Sequence, residues 1–441
     1  MDTTKQFFIK LFNCDYLIVI MAFFMAITGY PGLHHDATAY VDEIINRQYF
    51  GYWGISAYRN NYLTEPISFD IPHGFVYRYI IYMINIFIKD VTISVGLLSV
   101  LNTLLATRVQ NQSKVFITLL VMFISFGLQG RPEQFLVTLL LIQQTVLAQK
   151  WSYANILNSI LLGLMYYVSP VVGVFVAVLY FTELLNSIDF SWRGYINKLV
   201  IYTIALFILP IVLNHESIWS YTSRWLLGVL NNPDYNYKII ENKNWFYVTL
   251  YRLVKPLYNL AKNFDFFIPA IFLFIYPILT VISFNKREVS IVNKLKDWSL
   301  VMIIVLLFYF FNLVTYQWII LVLAFILYKR PPAFFKLKVK KSLFLGQLVL
   351  FATLATLSTR SFIEKNKATK ELEQFLVNET ILIKANKPSM IWIKEKLKSK
   401  KVFFYEGEYI PDGKSVKVLN GFNKKYSLFR YESYLFRVTQ E

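Results

Sequence analysis

One short stretch of the chain, PGLHHDATAYVDEIINRQYFGYWG, crowds Asp36, Asp42 and Glu43 ahead of Arg47 and the aromatics Tyr49, Phe50, Tyr52 and Trp53. Carboxylates bind hydroxyls and take protons from them, and aromatic rings stack on the apolar faces of pyranose sugars, so this combination suits a carbohydrate. The same spacing also suits an amphipathic helix beside a membrane with its acidic face in water, and spacing alone does not choose. A second polar cluster, Gly130-Arg131-Pro132-Glu133-Gln134, falls between two apolar runs. An arginine there is costly in a membrane and offers paired planar donors to a phosphate or carboxylate. The plainer alternative is an interfacial arginine paired with Glu133. Asp36 and Asp42 are carboxylates of the kind that take a proton from a hydroxyl, and Glu43, Arg78, Arg131 and Glu133 are candidates for holding substrate. His34, His35 and His73 accompany Asp36, but adjacent histidines rarely face one ion, so no metal-ligating residues are assigned.

The elements that must position these groups are apolar. The sequence is 56% apolar and 16% charged, with a mean hydropathy of +0.45, whereas soluble chains are typically about 25% charged. Apolar runs recur from Leu17 to Leu357, and a helix needs ~20 mostly apolar residues to cross a bilayer core of ~30 Å. The expected fold class is an all-α polytopic membrane protein. The run Tyr16 to Thr28 follows two lysines but precedes no small-residue cleavage site, and reads as a retained anchor. The net charge of +18 is spread between apolar runs instead of along one face, which argues against a nucleic-acid partner. With one cysteine, Cys14, no disulfide is possible within the chain, and Asn378-Glu379-Thr380 is read as a chance sequon.

Basic residues in short loops favour the cytoplasm, and the strongest groups are Lys329, Arg330, Lys336, Lys338, Lys340 and Lys341, then Lys286, Arg287, Lys294 and Lys296. Counting from these loops puts 215–265 and 359–441 outside, and Lys5 and Lys10 put the N-terminus inside. One of the twelve apolar runs then must not cross. The weakest is Phe75 to Ile88, which carries Arg78 and is only roughly 21 Å long as a helix, so it is assigned to the outer surface as an interfacial helix. Eleven spans remain, near 14–30, 91–107, 115–129, 135–149, 153–167, 171–185, 199–214, 266–284, 298–313, 316–328 and 342–358, so that 1–358 is the transmembrane module and 31–90 is one large outer region. Tyr166, Tyr167, Ser169 and Pro170 read as a tight outer turn. The outer loop 215–265 brings Trp219, Tyr221, Arg224, Trp225, Asp234 and Lys255. These read either as an aromatic belt at the headgroups or as a site for a lipid phosphate or glycan, with Arg224 and Lys255 as substrate-binding candidates. After 358 the chain turns charged and alternating. KELEQFLVNETILIKANKPSMIWIKEKLKSK reads as helical and KVFFYEG, SVKVLNG and SLFRYESYLFRVT as short strands, so 359–441 is expected to be a small extracytoplasmic α/β domain.

These features resemble the GT-C-type polytopic glycosyltransferases that use lipid-phosphate sugars. The resemblance covers roughly residues 10–150 and rests on the acid-bearing HHDATAYVDE, the proline-led Pro72-His73-Gly74-Phe75-Val76-Tyr77-Arg78-Tyr79, the small-residue run Ser94 to Ala106, and Arg131-Pro132-Glu133. The overall plan is also similar to the phage-type serotype-converting O-antigen glucosyltransferases. The resemblance implies transfer of a hexose, with glucose favoured, from a polyprenyl-phosphate donor to a surface glycan such as O-antigen of lipopolysaccharide, with inversion. The early acid is catalytic in that family. His-His-Asp stands where the family carries paired acids, which leaves Asp36 and Asp42 both open as the base. A divalent metal remains open. The implied partners are the lipid-linked donor, the glycan acceptor and membrane lipids, and the implied location is the bacterial inner membrane. A transporter or flippase of lipid-linked glycans and a glycan polymerase are the rivals. The topology is checked by alkaline phosphatase fusions: one after Glu441 is expected to be active and one after Lys294 inactive, and the reverse would remove the span count.

Overall fold

A computed structural model of the chain describes residues 14–33, 37–54, 74–109, 114–148, 153–185, 191–213, 315–329, 340–373, 380–384, 391, 394–396, 398, 402–404, 416–422 and 435–439. Asp36, His34, His35 and His73, the loop with Arg224 and Lys255, and the expected spans 266–284 and 298–313 lie outside them. The described residues are mostly helical. They divide into two compact units, one of residues 1–141 with 336–441 and one of residues 142–335.

The first unit holds the candidate residues. Its helices are α1 (Cys14–Thr28), α2 (Thr38–Phe50), α3 (Phe75–Ile88), α4 (Val91–Ala106), α5 (Lys114–Gly127) and the first part of α6 (Pro132–Ala148). The long α11 (Lys340–Glu373), which follows the second unit in the chain, also belongs to it. Apolar stretches without internal proline form helices because buried backbone groups must pair with one another. Helix α2 stops at Gly51, whose left-handed backbone (φ 83°) is the usual helix terminator. Helix α4 starts at Asp90, which accepts a hydrogen bond from the Ile93 N–H at 3.1 Å.

Helices α1 and α4 run antiparallel in close contact. A Cβ on Gly29 would meet Thr92, and one on Gly96 would lie 3.0 Å from the Cα of Ala26. Helix α11 runs parallel to α1: Leu354 joins the apolar cluster of Ile18, Met21, Ala22, Met25 and Ala26, while further along Lys365 reaches Gly29. Helices α3 and α4 meet at a 115° bend across Lys89 and Asp90. Among the described residues no single helix is long and apolar enough to cross a membrane, and this bent pair passes only together, by length and composition.

The first unit also contains a four-stranded sheet of β1 (Thr380–Lys384), β2 (Val402–Phe404), β3 (Val416–Phe422) and β4 (Leu435–Thr439), in the order β2-β1-β3-β4. β1 is parallel to β2 and β3, with Leu382 opposite Phe403 and Val418, and β3 is antiparallel to β4. The second unit contains α7 (Ala154–Val168), α8 (Pro170–Leu185), α9 (Trp192–Leu213) and α10 (Thr315–Lys329). Extended Ser169 alone separates α7 from α8, so the turn at Tyr166 to Pro170 is tight. Tyr167 Oη donates to Leu206 O at 2.9 Å, and Tyr328 Oη donates to Gln143.

Three boundaries differ from the sequence reading. Helix α11 does not stop at 358 but continues to Glu373, since 359–373 contains no glycine or proline and carries an Arg360–Glu364 pair at 3.2 Å one turn apart. The change in composition there marks a change of surroundings, not a helix end. Helix α9 starts at Trp192 instead of near 199. TILIK, read as part of a helix, is β1: its β-branched Thr380, Ile381 and Ile383 favour a strand, which here lies between β2 and β3.

The close crossing at Gly96 has a measurable consequence. Gly96→Val pushes side-chain atoms into the Ala26 backbone, and such overpacking costs about 1–3 kcal/mol. The thermal midpoint of the variant in detergent is expected to fall, whereas Gly346→Val in α11, with nothing within 4 Å, leaves it unchanged. Equal midpoints would show that α1 and α4 can part freely.

Candidate functional site

The site forms where the start of α2 meets the turn before α6. Gly130 has a left-handed backbone (φ 89°), and a Cβ there would fall 2.7 Å from Ala37, the residue following Asp36 in sequence. Gly74 is also left-handed (φ 80°), and its Cβ would fall 2.6 Å from Pro132. Both contacts need glycine for conformation and for space. They bring the acid-bearing helix α2, the N-terminus of α3 and the Arg131 turn to one place. Pro132 opens α6 at the first helical position, where its missing N–H costs nothing.

Each charged candidate described there is buried and engaged. Arg131 Nε donates to Glu133 Oε2 at 2.9 Å and Nη2 to Oε1 at 3.4 Å, a forked pairing, and the guanidinium lies 6.0 Å from the centre of the Tyr40 ring. The pairing with Glu133 is the arrangement set out above as the plainer alternative to a phosphate clamp. Arg78 forms an ion pair with Glu43, and neither side chain reaches solvent. Asp42 Oδ1 meets Lys394 Nζ at 2.5 Å, and Asp42 Oδ2 accepts from Asn46 Nδ2 at 3.2 Å. Asn46 donates also to Gly54 O at 2.5 Å, tying α2 to the turn that follows it. Burial, and after it Glu133, holds the Tyr77 phenol protonated far above its ordinary range.

Behind these charges lies an uncharged polar seam. Gln134 Nε2 donates to Val95 O (2.9 Å) and Ser99 Oγ (2.7 Å), while its Oε1 accepts from Gly130 N (3.3 Å) and Tyr77 Oη (3.5 Å). Asn102 Nδ2 donates to Ser125 Oγ and Gln134 O, each at 3.0 Å, and its Oδ1 accepts from Thr138 at 2.6 Å. Gln129 Nε2 donates to Thr92 O at 3.1 Å. The seam joins α3, α4, α5 and α6 and fixes the turn that carries Arg131.

Sequence reasoning missed the contribution of the far end of the chain. Beyond α11, Lys394 and Lys398 lie against α2, while Glu395 and Lys396 reach the α3–α4 corner. Glu395 Oε1 accepts from Val91 N–H at 2.8 Å, and its Oε2 has no hydrogen-bond partner among the described residues. Asp90 Oδ2 faces Lys365 at 3.4 Å and Lys396 at 3.5 Å. Burial would raise the Asp90 carboxyl, but these two lysines and the Ile93 N–H hold it below the usual carboxylate range. Burial, reinforced by Asp90, pushes Glu395 up to about 8. Burial lowers the Lys394 ammonium, and Asp42 opposes that effect. Burial, with Glu395 and Asp90 adding to it, takes the Tyr49 phenol to about 12, and Lys398 lies 5.5 Å from its ring centre. The lysines of KEKLKSK carry no local signal that pairs them with residues 42 and 90.

The arrangement offers carboxylates, two guanidiniums and phenol hydroxyls at one end of the helices of the first unit. Such groups bind hydroxyl-rich and anionic ligands and move protons. Compared with family models, curated proteins and solved structures, the chain finds no match.

Glu395 carries a pH dependence. Its ordinary value of 4.5 rises to about 8 in the folded chain, so the folded state holds this proton more tightly. The stabilisation is fully present below about 4.5 and is lost as pH rises through about 8. Docking of the 394–398 segment is therefore expected to weaken over that window, read as falling protection of the Val91 amide, its exchange rate being taken relative to the intrinsic rate at each pH. Glu395→Gln, fixed in the neutral form, flattens the profile, and an unchanged profile in that variant would assign the dependence elsewhere.

Proposed function

We propose that the chain is a polytopic membrane glycosyltransferase that moves a hexose from a polyprenyl-phosphate donor to a surface glycan outside the bacterial inner membrane. The observation that carries this reading is the packing of Ala37, just before the acid-bearing helix α2, against Gly130 beside Arg131. The acid-bearing helix and the arginine turn were separate motifs in the sequence, and a transfer site needs a carboxylate and a cation within reach of one substrate.

Membrane insertion draws support from the surface. Tyr16, Ile20, Phe23 and Ile27 form an exposed stripe on α1, and Tyr79, Met83, Ile86 and Phe87 form another on α3, with Phe87 81% exposed. Contiguous apolar stripes of this kind suit lipid better than water. The opposite face of α3 buries Arg78 and Asn85, the pattern of a helix lying along an interface beside a crossing one. The parallel course of α1 and α11 fits an odd number of spans, with the first and last both leading outward. Lys394 meeting Asp42 fits 31–90 and 359–441 on one side.

In the proposed reaction the acceptor hydroxyl oxygen attacks the anomeric carbon as its proton passes to the carboxylate of Asp36. The bond from that carbon to the lipid phosphate breaks, and its electron pair leaves with the phosphate oxygen. The configuration inverts, and phosphate, a good leaving group, needs no general acid. Arg131 stabilises the departing phosphate, exchanging part of its pairing with Glu133 for the stronger anion. A transporter of lipid-linked glycans calls for charges within the spans. The buried ion pairs described in the first unit gather at one end of its helices, and the seam beyond them is uncharged.

The test is transfer from a purified polyprenyl-phosphate glucose in proteoliposomes. Asp36→Asn is expected to lower the rate about 10² to 10⁴-fold, the usual contribution of a general base. Arg131→Lys is expected to stay impaired because an ammonium lacks the planar fork. Normal transfer by both variants at normal protein level would refute the mechanism.

A further inference from the structure

We infer that Asp42 is the counter-ion of Lys394 and not the proton acceptor, so that the carboxyl-terminal region is a working part of the site through Lys394 as a positioning residue. The inference rests on the proposed transfer reaction and resolves which acid of the first region performs it.

Both oxygens of Asp42 are already engaged, Oδ1 with Lys394 at 2.5 Å and Oδ2 with Asn46 at 3.2 Å. Asp42 and Lys394 side chains are 0% and 1% exposed. A general base must present an oxygen to the reacting hydroxyl and later release the proton to water. An acid pressed against an ammonium at this depth does neither while the pair is intact. Opening it would leave two buried charges without partners, which a low-dielectric site strongly disfavours.

The pair nevertheless has a geometric effect. Through Asn46 and Gly54 O, Asp42 fixes the second half of α2 and its closing turn. Glu43, the next residue, is held to Arg78 of α3. The first turn of the same helix carries Ala37 against Gly130. Lys394 thus holds the helix that Ala37 seats against the Arg131 turn, although 352 residues separate it from Asp42. Neighbouring contacts brace it: Glu395 on the Val91 N–H, Lys396 and Lys365 on Asp90, and the Phe50 ring 5.9 Å from the Lys394 ammonium.

The experiment uses the full chain in proteoliposomes with four variants: Asp42→Asn, Lys394→Met, the double variant, and Lys394→Arg. Two quantities are read, the rate at which protease releases the carboxyl-terminal region and the pH profile of hexose transfer. Each single neutralisation orphans a buried charge and is expected to speed proteolytic release about tenfold. The double variant is expected to return within about threefold of the parent, and Lys394→Arg to stay close to it. Transfer by the double variant is expected to recover to within about tenfold of the parent, with the acid limb of its pH profile intact because the base is still present. Protection that fails to recover in the double variant would overturn the pairing. A protected double variant that stays inactive, or that loses its acid limb, would make Asp42 the base and overturn the assignment. If single variants vanish from the membrane while the double accumulates, the coupling is supported by that difference. If the parent itself transfers nothing from lipid-phosphate donors, the transferase reading fails, and the proteolysis arm still decides the pairing.

Discussion

A charge withdrawn from water must find a partner, and the first unit is arranged around meeting that requirement where α2 meets α3, the turn before α6 and the segment that carries Lys394. Burying an ion costs several kcal/mol even after relaxation, and removing one member of a buried pair costs about 3–5 kcal/mol. Arg78 with Glu43, Arg131 with Glu133 and Lys394 with Asp42 each satisfy the requirement locally. Their partners come from α2, α3, the start of α6 and the segment after the long last helix. Elements distant in sequence are thereby forced into one register. Apolar packing alone would tolerate slippage along the helices, whereas a buried pair set one turn out of step leaves both charges orphaned.

The polar seam works by the same logic with neutral groups. Gln134 and Asn102 satisfy most of their donors and acceptors with each other, with backbone carbonyls and with hydroxyls on α4, α5 and α6. Net gains from such bonds are modest, about 0.5–1.5 kcal/mol each, but an unmade one is costly in an apolar interior. The seam therefore acts more on specificity than on stability. It fixes the rotation of α6 about its axis and so the direction in which Arg131 leaves the turn. Close approach at Gly96 brings α1 against α4, the helix whose Val95, Ser99 and Asn102 supply that seam.

Helices were legible because apolar runs without proline have one way to satisfy their backbone, and the span limits near 91–107, 153–167 and 171–185 agree closely with α4, α7 and α8. Glu43, Arg78, Arg131 and Glu133 were legible as a set because charges are scarce in so apolar a stretch. Their pairing was not, except for Arg131 and Glu133, which stand two residues apart. Lys394 was illegible because a lysine among lysines carries no local signal of a partner, and only the folded chain shows it buried against an acid near the other end. The strand β1 was misread since five residues between charged helical segments carry too short a signal. The end of α11 was misplaced because a loss of hydropathy is not a loss of helix.

The parallel contact of α11 with α1 has a bearing on how the protein is made. The first helix is made early, yet the cluster of Ile18, Met21, Ala22 and Met25 is completed only when Leu354 of α11 joins it. During synthesis the second unit is made while the first is still open, and the acid-bearing helix has no Lys394 to hold it. A polypeptide stalled or cut short before its final strands would carry every motif of the amino-terminal third and still present an unassembled site. In the proposed transferase the site is therefore assembled only once Leu354 and Lys394 have both been made.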